Sequence, residues 1–312
     1  MSRLLERISD GKRHWSDIIE DRELVVSVSG GKDSTAMALW LIDQGLKDRC
    51  HWVFADTGWE HPDVYEYLDY LEGVIGPINR VTSKKYPKGM TDLVKKKGMF
   101  PSRKFRFCTE QLKVVPIREF VADLIDRTGA DPVSCVGIRA AESRSRAAME
   151  MWDSGGPVGL DTWRPIIEWG LEDVVNYHTK HNVTPCSLYL RENHPSSRVG
   201  CYPCIMSRKK EIFAVSEADS WRIDQIRELE TEVQEAHIKR NPDWKDQKWQ
   251  LPTMFQGREY KNGERPLTPI DKVVDWAKTT HGGNQYELIY TGEPGCRMWG
   301  LCDFGPKEED DE

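Results

Sequence analysis

The chain has 312 residues, of which 38% are apolar and 30% are charged, and its formal net charge is −7. No stretch approaches the roughly 20 consecutive apolar residues of a membrane span, and the N-terminus lacks the apolar core and cleavage site of a secretory signal, so we expect a cytoplasmic protein with no membrane contact. Five acidic residues at 308–312 supply most of the net charge, so the rest of the chain is nearly neutral and the charge alone does not indicate a nucleic-acid partner.

Strand and helix patterns alternate along the chain after a short polar helix predicted within residues 1–20. Short apolar, β-branched runs predict four strands, at 24–28, 51–55, 78–82 and 132–137. Helical patterns separate or follow them, ending at Gly45, beginning at Pro62, and covering 114–124 and 171–178. This alternation predicts an α/β fold with a doubly wound, mainly parallel sheet.

The pattern changes near residue 190. Beyond that point a Cys-x-x-Cys pair precedes helical patterns at 219–239 and 269–279, and no run predicts a strand. We therefore expect an α/β domain at 20–190 and a mostly helical, cysteine-bearing region at 191–312 that ends in the acidic tail.

The first predicted strand leads through Ser29-Gly30-Gly31-Lys32-Asp33-Ser34 into a helix. Backbone N–H groups at a helix N-terminus, together with the helix dipole, favour a bound phosphate. Lys32 adds a point charge, Ser29 and Ser34 add hydroxyl donors, and we expect Gly30 and Gly31 to take positive φ and let the backbone approach the ligand closely. The spacing is not that of the Walker loop. The segment predicts a site for nucleotide phosphates.

Two other strands end in polar residues that suit such a site. Asp56-Thr57-Gly58 follow the second strand and Gly137-Ile138-Arg139 follow the fourth. Ligands bind beyond the carboxyl ends of the strands in doubly wound sheets. The side chains of Arg139, Arg144 and Arg146 either hold phosphate or sulfate oxygens or form a solvated basic surface.

The eight cysteines argue against a disulfide framework in a cytoplasmic chain and call for a metal or redox explanation. A four-thiolate site for zinc or a [4Fe–4S] cluster can be built from Cys108, Cys201, Cys204 and either Cys296 or Cys302. Spacing alone does not choose between the two metals.

Four other residues with metal-binding side chains are interpreted as structural. Cys50, Cys135 and Cys186 lie within or beside apolar runs, and His178 lies on the apolar side of its predicted helix.

In combination, these motifs resemble the phosphoadenosine phosphosulfate reductase family, part of the adenine nucleotide α-hydrolase group with the PP-loop and a HUP-like sheet. The resemblance covers about residues 20–205, and its motifs are Ser29–Ser34, Asp56–Gly58, Gly137–Arg146, Arg164–Trp169 and Glu172–Val174. It implies that the loop holds the pyrophosphate of ATP, or the matching end of an adenylyl sulfate. It also implies that Asp56–Gly58 lie near the nucleoside and that Gly137–Arg139 close the site.

The family resemblance also bears on the cysteines. Members carry a [4Fe–4S] cluster beside the nucleotide, which favours a cluster over zinc here and leaves one of Cys296 and Cys302 as a free thiol that carries or receives sulfur. The chain departs from the family's reductases in two respects. It has no tail with a single cysteine between glutamate and glycine, and it has no adjacent double cysteine.

Three functions remain open. The first is ATP-dependent sulfur transfer to nucleic acid or a small acceptor, as in related DNA-phosphorothioation and tRNA-thiolation enzymes, with sulfur from a cysteine-desulfurase-type or thiol donor. There, Lys32, Asp33 and Ser34 are the catalytic residues, and Mg²⁺ bridges the phosphates with help from Asp33. The second is reduction of phosphoadenylyl or adenylyl sulfate. The third is a nucleotide sensor without catalysis.

Overall fold

The computed structural model describes residues 19–246, 250–256 and 267–279. These residues form two compact units, which we call the sheet unit and the cysteine unit. The sheet unit contains residues 19–55, 65–81 and 113–185, and the cysteine unit contains residues 56–64, 82–112 and the described residues from 186 onward. The predicted boundary at 190 lies close to residue 186, where the chain enters the cysteine unit for the last time. The division into two domains stays a prediction. Across the described ranges, every helix is too short or too polar to cross a membrane.

The sheet unit is built on six strands. They are β1 (Leu24–Ser27), β2 (Cys50–Ala55), β3 (Ile78–Val81), β4 (Val133–Val136), β5 (Trp152–Asp153) and β6 (Thr162–Trp163). Their order is β3-β2-β1-β4-β6-β5, and every neighbouring pair is parallel except β5 and β6. The mainly parallel α/β fold is therefore confirmed.

Burial explains why the central strands β1 and β4 were predictable. Leu24, Val25 and Val26 of β1 are all fully buried, which requires the unbroken apolar run seen in the sequence. Strand β6 and the edge strand β5 were not predicted, because each has two residues and neither forms an apolar run. They are paired through Trp152 opposite Trp163.

Helices flank the strands or join them. Those of the sheet unit, with α2 beginning in the cysteine unit, are α1 (Lys32–Asp43), α2 (Pro62–Ile75), α5 (Val115–Thr128), α6 (Arg144–Ala147) and α7 (Leu171–Lys180). Those of the cysteine unit are α3 (Met90–Lys97), α4 (Phe107–Thr109), α8 (Ser187–Leu190), α9 (Lys209–Ala218), α10 (Ser220–Arg240) and α11 (Ile270–Ala277). A π-helical turn, Glu110–Val114, links α4 to α5. Helix α1 ends before Gly45 as predicted.

The cysteine unit has its own core, formed by α3, α9, α10 and α11. Trp59, Leu93, Ile226 and Val233 are among its buried side chains. Two short antiparallel strands, β7 (Phe255–Gln256) and β8 (Leu267–Thr268), lie here, so the prediction of no strand beyond 190 was wrong. Their length of two residues each explains why no pattern indicated them. Residues 1–18, Cys296, Cys302 and the acidic tail lie outside the described residues.

Candidate functional site

The predicted phosphate loop joins β1 to α1 in the sheet unit. Gly30 has φ +72°, as expected. Gly31 does not take positive φ: its φ is −83° and its ψ 153°, because it is the N-cap of α1, a position that favours extended backbone. No side chain caps α1, so the amides of its first turn have no acceptor within the helix or from a capping residue.

The two serine hydroxyls of the loop hydrogen-bond within it. Ser34 Oγ donates to Gly31 O at 3.0 Å and accepts from Ser29 N at 3.2 Å, and the two hydroxyl oxygens are 3.1 Å apart. These bonds fix the curvature of the loop around the helix N-terminus. Donation from Ser29 and Ser34 to a phosphate stays a prediction.

Lys32 is only 8% exposed, and its backbone is held from a second helix. The fully buried His178 of α7 places Nε2 at 2.9 Å from Lys32 O and Nδ1 at 3.1 Å from Val183 O. Burial lowers the pKa of His178, and the two carbonyl contacts offset part of that effect. The interpretation of His178 as a satisfied core residue is confirmed, and its position also shows it to be a support for the loop.

Arg139 reaches the same loop from the segment after β4. Its residue is 3% exposed, and Nε donates to Asp33 Oδ1 at 2.5 Å. Arg139 Nη1 is buried and has no hydrogen-bond partner among the described residues. Buried guanidinium nitrogens are rarely left unpaired, because that forfeits hydrogen bonds made in water. A bound anion at this helix N-terminus would supply the missing acceptor.

The segment carrying Arg139 is anchored at both sides. Arg139 N donates to Glu142 Oε2 at 3.0 Å, and Ala140 N donates to Ile167 O at 2.7 Å. Arg144 is exposed and Arg146 pairs with Glu142. Of the three arginines considered from the sequence, Arg139 is the one that contacts the loop. Whether Arg144 and Arg146 hold ligand oxygens or form a solvated surface stays open.

Gly137 lies against the first turn of α1, where a side chain has little room. A Cβ at this position would stand 3.0 Å from Ser34 Cα and 3.2 Å from Asp33 O. We expect Gly137→Ala to destabilise the protein by about 1 to 3 kcal/mol, as overpacking does, and to weaken nucleotide binding by shifting the loop. Ile138, the neighbouring predicted residue, is half-buried.

The matched control for that substitution is Gly73→Ala in α2, where an added Cβ meets nothing within 4 Å. Alanine in a helix is expected to stabilise by about 0.5 to 1 kcal/mol relative to glycine. Urea unfolding and a nucleotide titration of both variants provide the comparison. Equal effects of the two substitutions on nucleotide affinity would contradict the proposed close contact.

The turn Asp56-Thr57-Gly58 belongs to the cysteine unit. Asp56 Oδ1 accepts from Gly58 N at 2.8 Å, and Gly58 has φ +62°. Thr57 is buried, and its Oγ1 donates to Glu60 Oε1 at 2.7 Å. These contacts make the turn rigid. The predicted role of the three residues beside a nucleoside stays a prediction.

Three of the predicted metal ligands lie in one part of the cysteine unit. Cys108 and Cys201 pack against the same apolar core, and Cys201 and Cys204 line one cavity. Burial raises the pKa of the Cys108 thiol. In residues 19–246, 250–256 and 267–279, no three His, Cys, Asp or Glu side chains are placed to hold a single metal ion. Thiolates that bind a [4Fe–4S] cluster are attached to different irons and need not converge on one point.

The remaining described cysteines fit the structural interpretation. Cys135 and Cys186 are fully buried and Cys50 is half-buried. Burial raises the pKa of Cys50 to about 12 and that of Cys186 to about 11, and places the pKa of Cys135 well above its usual range. All three are therefore neutral thiols at physiological pH and poor nucleophiles.

A buried polar network holds the Cys201–Cys204 turn, and the sequence did not indicate it. Tyr202 donates from its hydroxyl to Asp219 Oδ2 at 2.6 Å, and Arg191 donates to the same oxygen at 2.5 Å. Backbone bonds add Tyr202 N to Trp59 O at 2.8 Å. Burial alone would raise the pKa of Asp219, but the hydrogen bonds from Arg191 and Tyr202 outweigh it and lower this pKa to about 2.

The lowered pKa of Asp219 predicts an acid-sensitive contribution to stability. Because its folded-state pKa lies below the unfolded value, roughly 2 kcal/mol is present above about pH 4 and is lost as the pH falls toward 2. We expect Asp219→Asn to unfold more easily at neutral pH and to lose less stability in the acid range. Urea unfolding between neutral pH and the acid limit measures this, with the exposed Asp123→Asn as control. An unchanged acid slope in Asp219→Asn would contradict it.

Comparison with known proteins places this geometry in a family. The family model for the phosphoadenosine phosphosulfate reductase domain matches residues 23–207. An uncharacterized 37.8 kDa protein of Escherichia phage 186 is 32% identical, over 85% of this chain and 91% of its own length. An adenosine 5'-phosphosulfate reductase of Neisseria meningitidis serogroup A is 28% identical, over 48% of this chain and 59% of its own length.

Among solved structures, a phosphoadenylyl-sulfate reductase from Candida auris aligns with a TM-score of 0.40 at 16% identity. That alignment covers 56% of this chain and 79% of the reductase. The matched family model spans the phosphate loop, Arg139 and the Cys201–Cys204 turn, and the phage relative extends the likeness over most of the chain. The chain therefore belongs to the phosphoadenosine phosphosulfate reductase family.

Proposed function

We propose that this protein is an ATP pyrophosphatase-type enzyme that adenylates an acceptor for sulfur transfer. The diphosphate of the nucleotide would lie on the loop Ser29–Ser34 at the N-terminus of α1. The observation that carries the proposal is Arg139: its buried guanidinium pairs with Asp33 in the uncapped first turn of α1, and its Nη1 lacks an acceptor among the described residues.

The charges at the loop favour the binding of an anion. Lys32 and Arg139 contribute two cations, and Asp33 neutralises one of them through its Oδ1. The first-turn amides add the positive end of the helix dipole. A pyrophosphate group would therefore meet the cations of Lys32 and Arg139 and several N–H donors, which together are the usual features of a phosphate site.

The reaction follows from where charge develops. An acceptor oxygen attacks the α-phosphorus of ATP, the bond from that phosphorus to the bridging oxygen breaks, and its electron pair leaves on pyrophosphate. Lys32, Arg139 and the loop amides would stabilise that leaving group, which is usually the largest catalytic effect at such sites. The outer sulfur of a donor persulfide then attacks the acceptor atom that bears the adenylated oxygen, the bond from that atom to oxygen breaks, and AMP leaves. A second thiol cleaves the resulting disulfide and leaves the sulfur on the acceptor.

Mg²⁺ fits the same loop. Asp33 Oδ1 is occupied by Arg139, while no contact in the described residues involves Oδ2. A carboxylate oxygen beside nucleotide phosphates is the usual protein contribution to a hydrated magnesium ion. The ion would supply charge neutralisation across the phosphates.

The products of ATP turnover test the proposal. Protein purified without oxygen and incubated with ATP and Mg²⁺ is expected to release AMP and pyrophosphate in equal amounts, measured by chromatography of labelled nucleotide. Release of ADP and inorganic phosphate would refute it, because that cleavage does not occur at the α-phosphorus.

A second candidate is reduction of an adenylyl sulfate, favoured by the relatives of that name that align over about half of this chain. It predicts release of sulfite from adenylyl or phosphoadenylyl sulfate with a thiol donor. The Cys296→Ser/Cys302→Ser double variant distinguishes the candidates: sulfite release would stop if either cysteine were the nucleophile. Sulfite at an undiminished rate would count against the reductase.

We also propose that Cys108, Cys201, Cys204 and either Cys296 or Cys302 hold a [4Fe–4S] cluster. The packing of Cys108 and Cys201 against one core, and the cavity that Cys201 and Cys204 line together, support this. Anaerobically purified protein is expected to contain about four irons per chain, and Cys204→Ser should lose most of them. Cys50→Ser is the matched control and should keep its iron, since Cys50 lies in the sheet unit. Stoichiometric zinc without iron would refute the cluster.

A further inference from the structure

Residues 82–112 of the cysteine unit, which we call the basic segment, carry a charge opposite to that of the chain. The segment has nine lysine and arginine residues against Asp92 and Glu110, a net charge of +7 in a protein whose net charge is −7. Eight of the nine cations are exposed: Lys84, Lys85, Lys88, Lys96, Lys97, Arg103, Lys104 and Arg106. Whole-chain charge therefore conceals a strongly basic local surface.

Side-chain contacts order three of these cations, Lys85, Lys96 and Lys97. Lys96 Nζ donates to Lys85 O at 3.0 Å, and the ammonium groups of both lysines lie 5.5 Å from the centre of the Tyr86 ring. Lys97, the last residue of α3, has its Nζ 5.0 Å from the centre of the Phe107 ring. Aromatic rings thus hold the lysines of α3 beside the loop that precedes α4.

That loop presents an exposed aromatic side chain between cations. Phe105 is 70% exposed, the highest value among the large apolar side chains described. A short turn fixes it, since Ser102 N donates to Phe105 O at 3.0 Å and Phe105 N donates to Ser102 Oγ at 3.1 Å. Arg103, Lys104 and Arg106 flank the ring and make no ion pair with any described residue.

Exposing a phenylalanine in a fixed turn costs hydrophobic free energy that burial would recover. An isolated exposed apolar residue needs no explanation, but this one is adjacent in sequence to three exposed cations, Arg103, Lys104 and Arg106, that pair with no described carboxylate. Proteins that bind single-stranded nucleic acid combine these two features: cations that follow the phosphates and an aromatic ring on which an unpaired base stacks.

We propose that the basic segment binds single-stranded nucleic acid, with Phe105 stacking on a base and Arg103, Lys104 and Arg106 contacting phosphates. A duplex fits less well because its bases are already stacked. An anionic membrane fits less well because interfacial binding scales with buried apolar area, and Phe105 and Met99 are the only exposed large apolar side chains described in this segment. The proposal concerns the cysteine unit alone and does not depend on the proposed ATP chemistry.

Fluorescence anisotropy with labelled oligonucleotides of about 15 nucleotides, near the upper site size of a single-strand binding module, tests the proposal. The full chain is used without ATP, and parallel DNA and RNA arms show whether the 2'-hydroxyl contributes. The Arg103→Ala/Lys104→Ala/Arg106→Ala variant should weaken binding and reduce the slope of log affinity against log salt by about 2, since each single-strand phosphate contact contributes about 0.7. Lys47→Ala/Arg127→Ala/Lys180→Ala, three exposed cations of the sheet unit, should match wild type.

Substitutions at Phe105 distinguish base stacking from the attraction between cations and phosphates. Phe105→Ala is expected to weaken oligonucleotide binding about tenfold with the salt slope unchanged, and Phe105→Trp should restore it. Affinity for inorganic polyphosphate, which has no bases, should not change in Phe105→Ala. The proposal is overturned if wild type binds neither DNA nor RNA strands, if the basic-segment and control variants behave alike, or if phosphatidylserine vesicles bind and oligonucleotides do not. Thermal unfolding of each variant confirms that it is folded.

Discussion

Replacing Lys32 with alanine is expected to lower the rate of AMP and pyrophosphate release from ATP by about 100- to 1,000-fold, the loss seen when one group that stabilises developing charge is removed. Lys32 is 8% exposed at the first position of α1, and we propose that its ammonium group is the point charge of the loop. Steady-state turnover and nucleotide affinity, measured together, show whether the loss falls on the leaving group or on ground-state binding.

Loss of packing has to be separated from loss of charge. Lys32→Met keeps most of the buried aliphatic stem and removes only the cation, so it should lose as much activity as Lys32→Ala while unfolding closer to wild type. Lys47→Ala is the control, an exposed lysine just beyond the end of α1 that should retain full activity. A Lys32→Ala protein with normal affinity and turnover would remove the basis for placing the diphosphate on this loop.

The parts of the fold that the sequence predicted are those governed by local chemistry. Strand β1 was recognisable because both of its faces are buried, and the end of α1 because Gly45, with φ +73°, follows it. The hairpin of β5 and β6 was not recognisable from the sequence, because hydrogen bonds from Arg164, and not a run of apolar residues, stabilise it. Arg164 Nη1 donates to Glu150 O at 2.9 Å and Nη2 to Asp153 Oδ2 at 3.2 Å.

In the candidate site, too, the features set by local sequence were predicted and those set by long-range contacts were not. The loop Ser29–Ser34 could be predicted because a glycine turn between a strand and a helix has one dominant geometry. The pairing of Asp33 with Arg139 joins residues more than a hundred positions apart, and no local pattern specifies which arginine after β4 turns inward. The support of Lys32 by His178 was equally hidden, since a histidine on an apolar helix face has many satisfied arrangements. The basic segment was not predicted, because acidic residues elsewhere in the chain offset its positive charge in the net charge of the whole chain.

The second large effect is expected from substitutions that break the ion pair between Arg139 and Asp33. We expect Arg139→Ala to lower the free energy of unfolding by about 3 kcal/mol, because it leaves a partly buried carboxylate without its counter-charge. We also expect it to weaken binding of pyrophosphate about 30-fold, the equivalent of roughly 2 kcal/mol for a charge-assisted hydrogen bond. Unfolding with and without magnesium-free pyrophosphate measures both quantities on the same sample.

Asp33→Asn distinguishes a ligand-binding arginine from a merely structural one. This variant should also be less stable, since Arg139 keeps its charge in a buried position, but pyrophosphate can then serve as the counter-ion. Added pyrophosphate should therefore stabilise Asp33→Asn more than it stabilises wild type, where a hundredfold excess over the dissociation constant contributes about 2.7 kcal/mol. In Arg139→Ala that stabilisation should largely disappear, so the two halves of one ion pair respond in opposite directions.

Arg164→Ala is the matched control, because Arg164 is another buried arginine of the sheet unit and pairs with Asp153 at the edge hairpin. It should lose stability and keep the full response to pyrophosphate. If Asp33→Asn and Arg139→Ala instead lose the pyrophosphate response equally, the pair acts only as a structural strut. The unpaired Nη1 of Arg139 would then have to be satisfied by water rather than by the nucleotide, and the proposed site would lose its principal support.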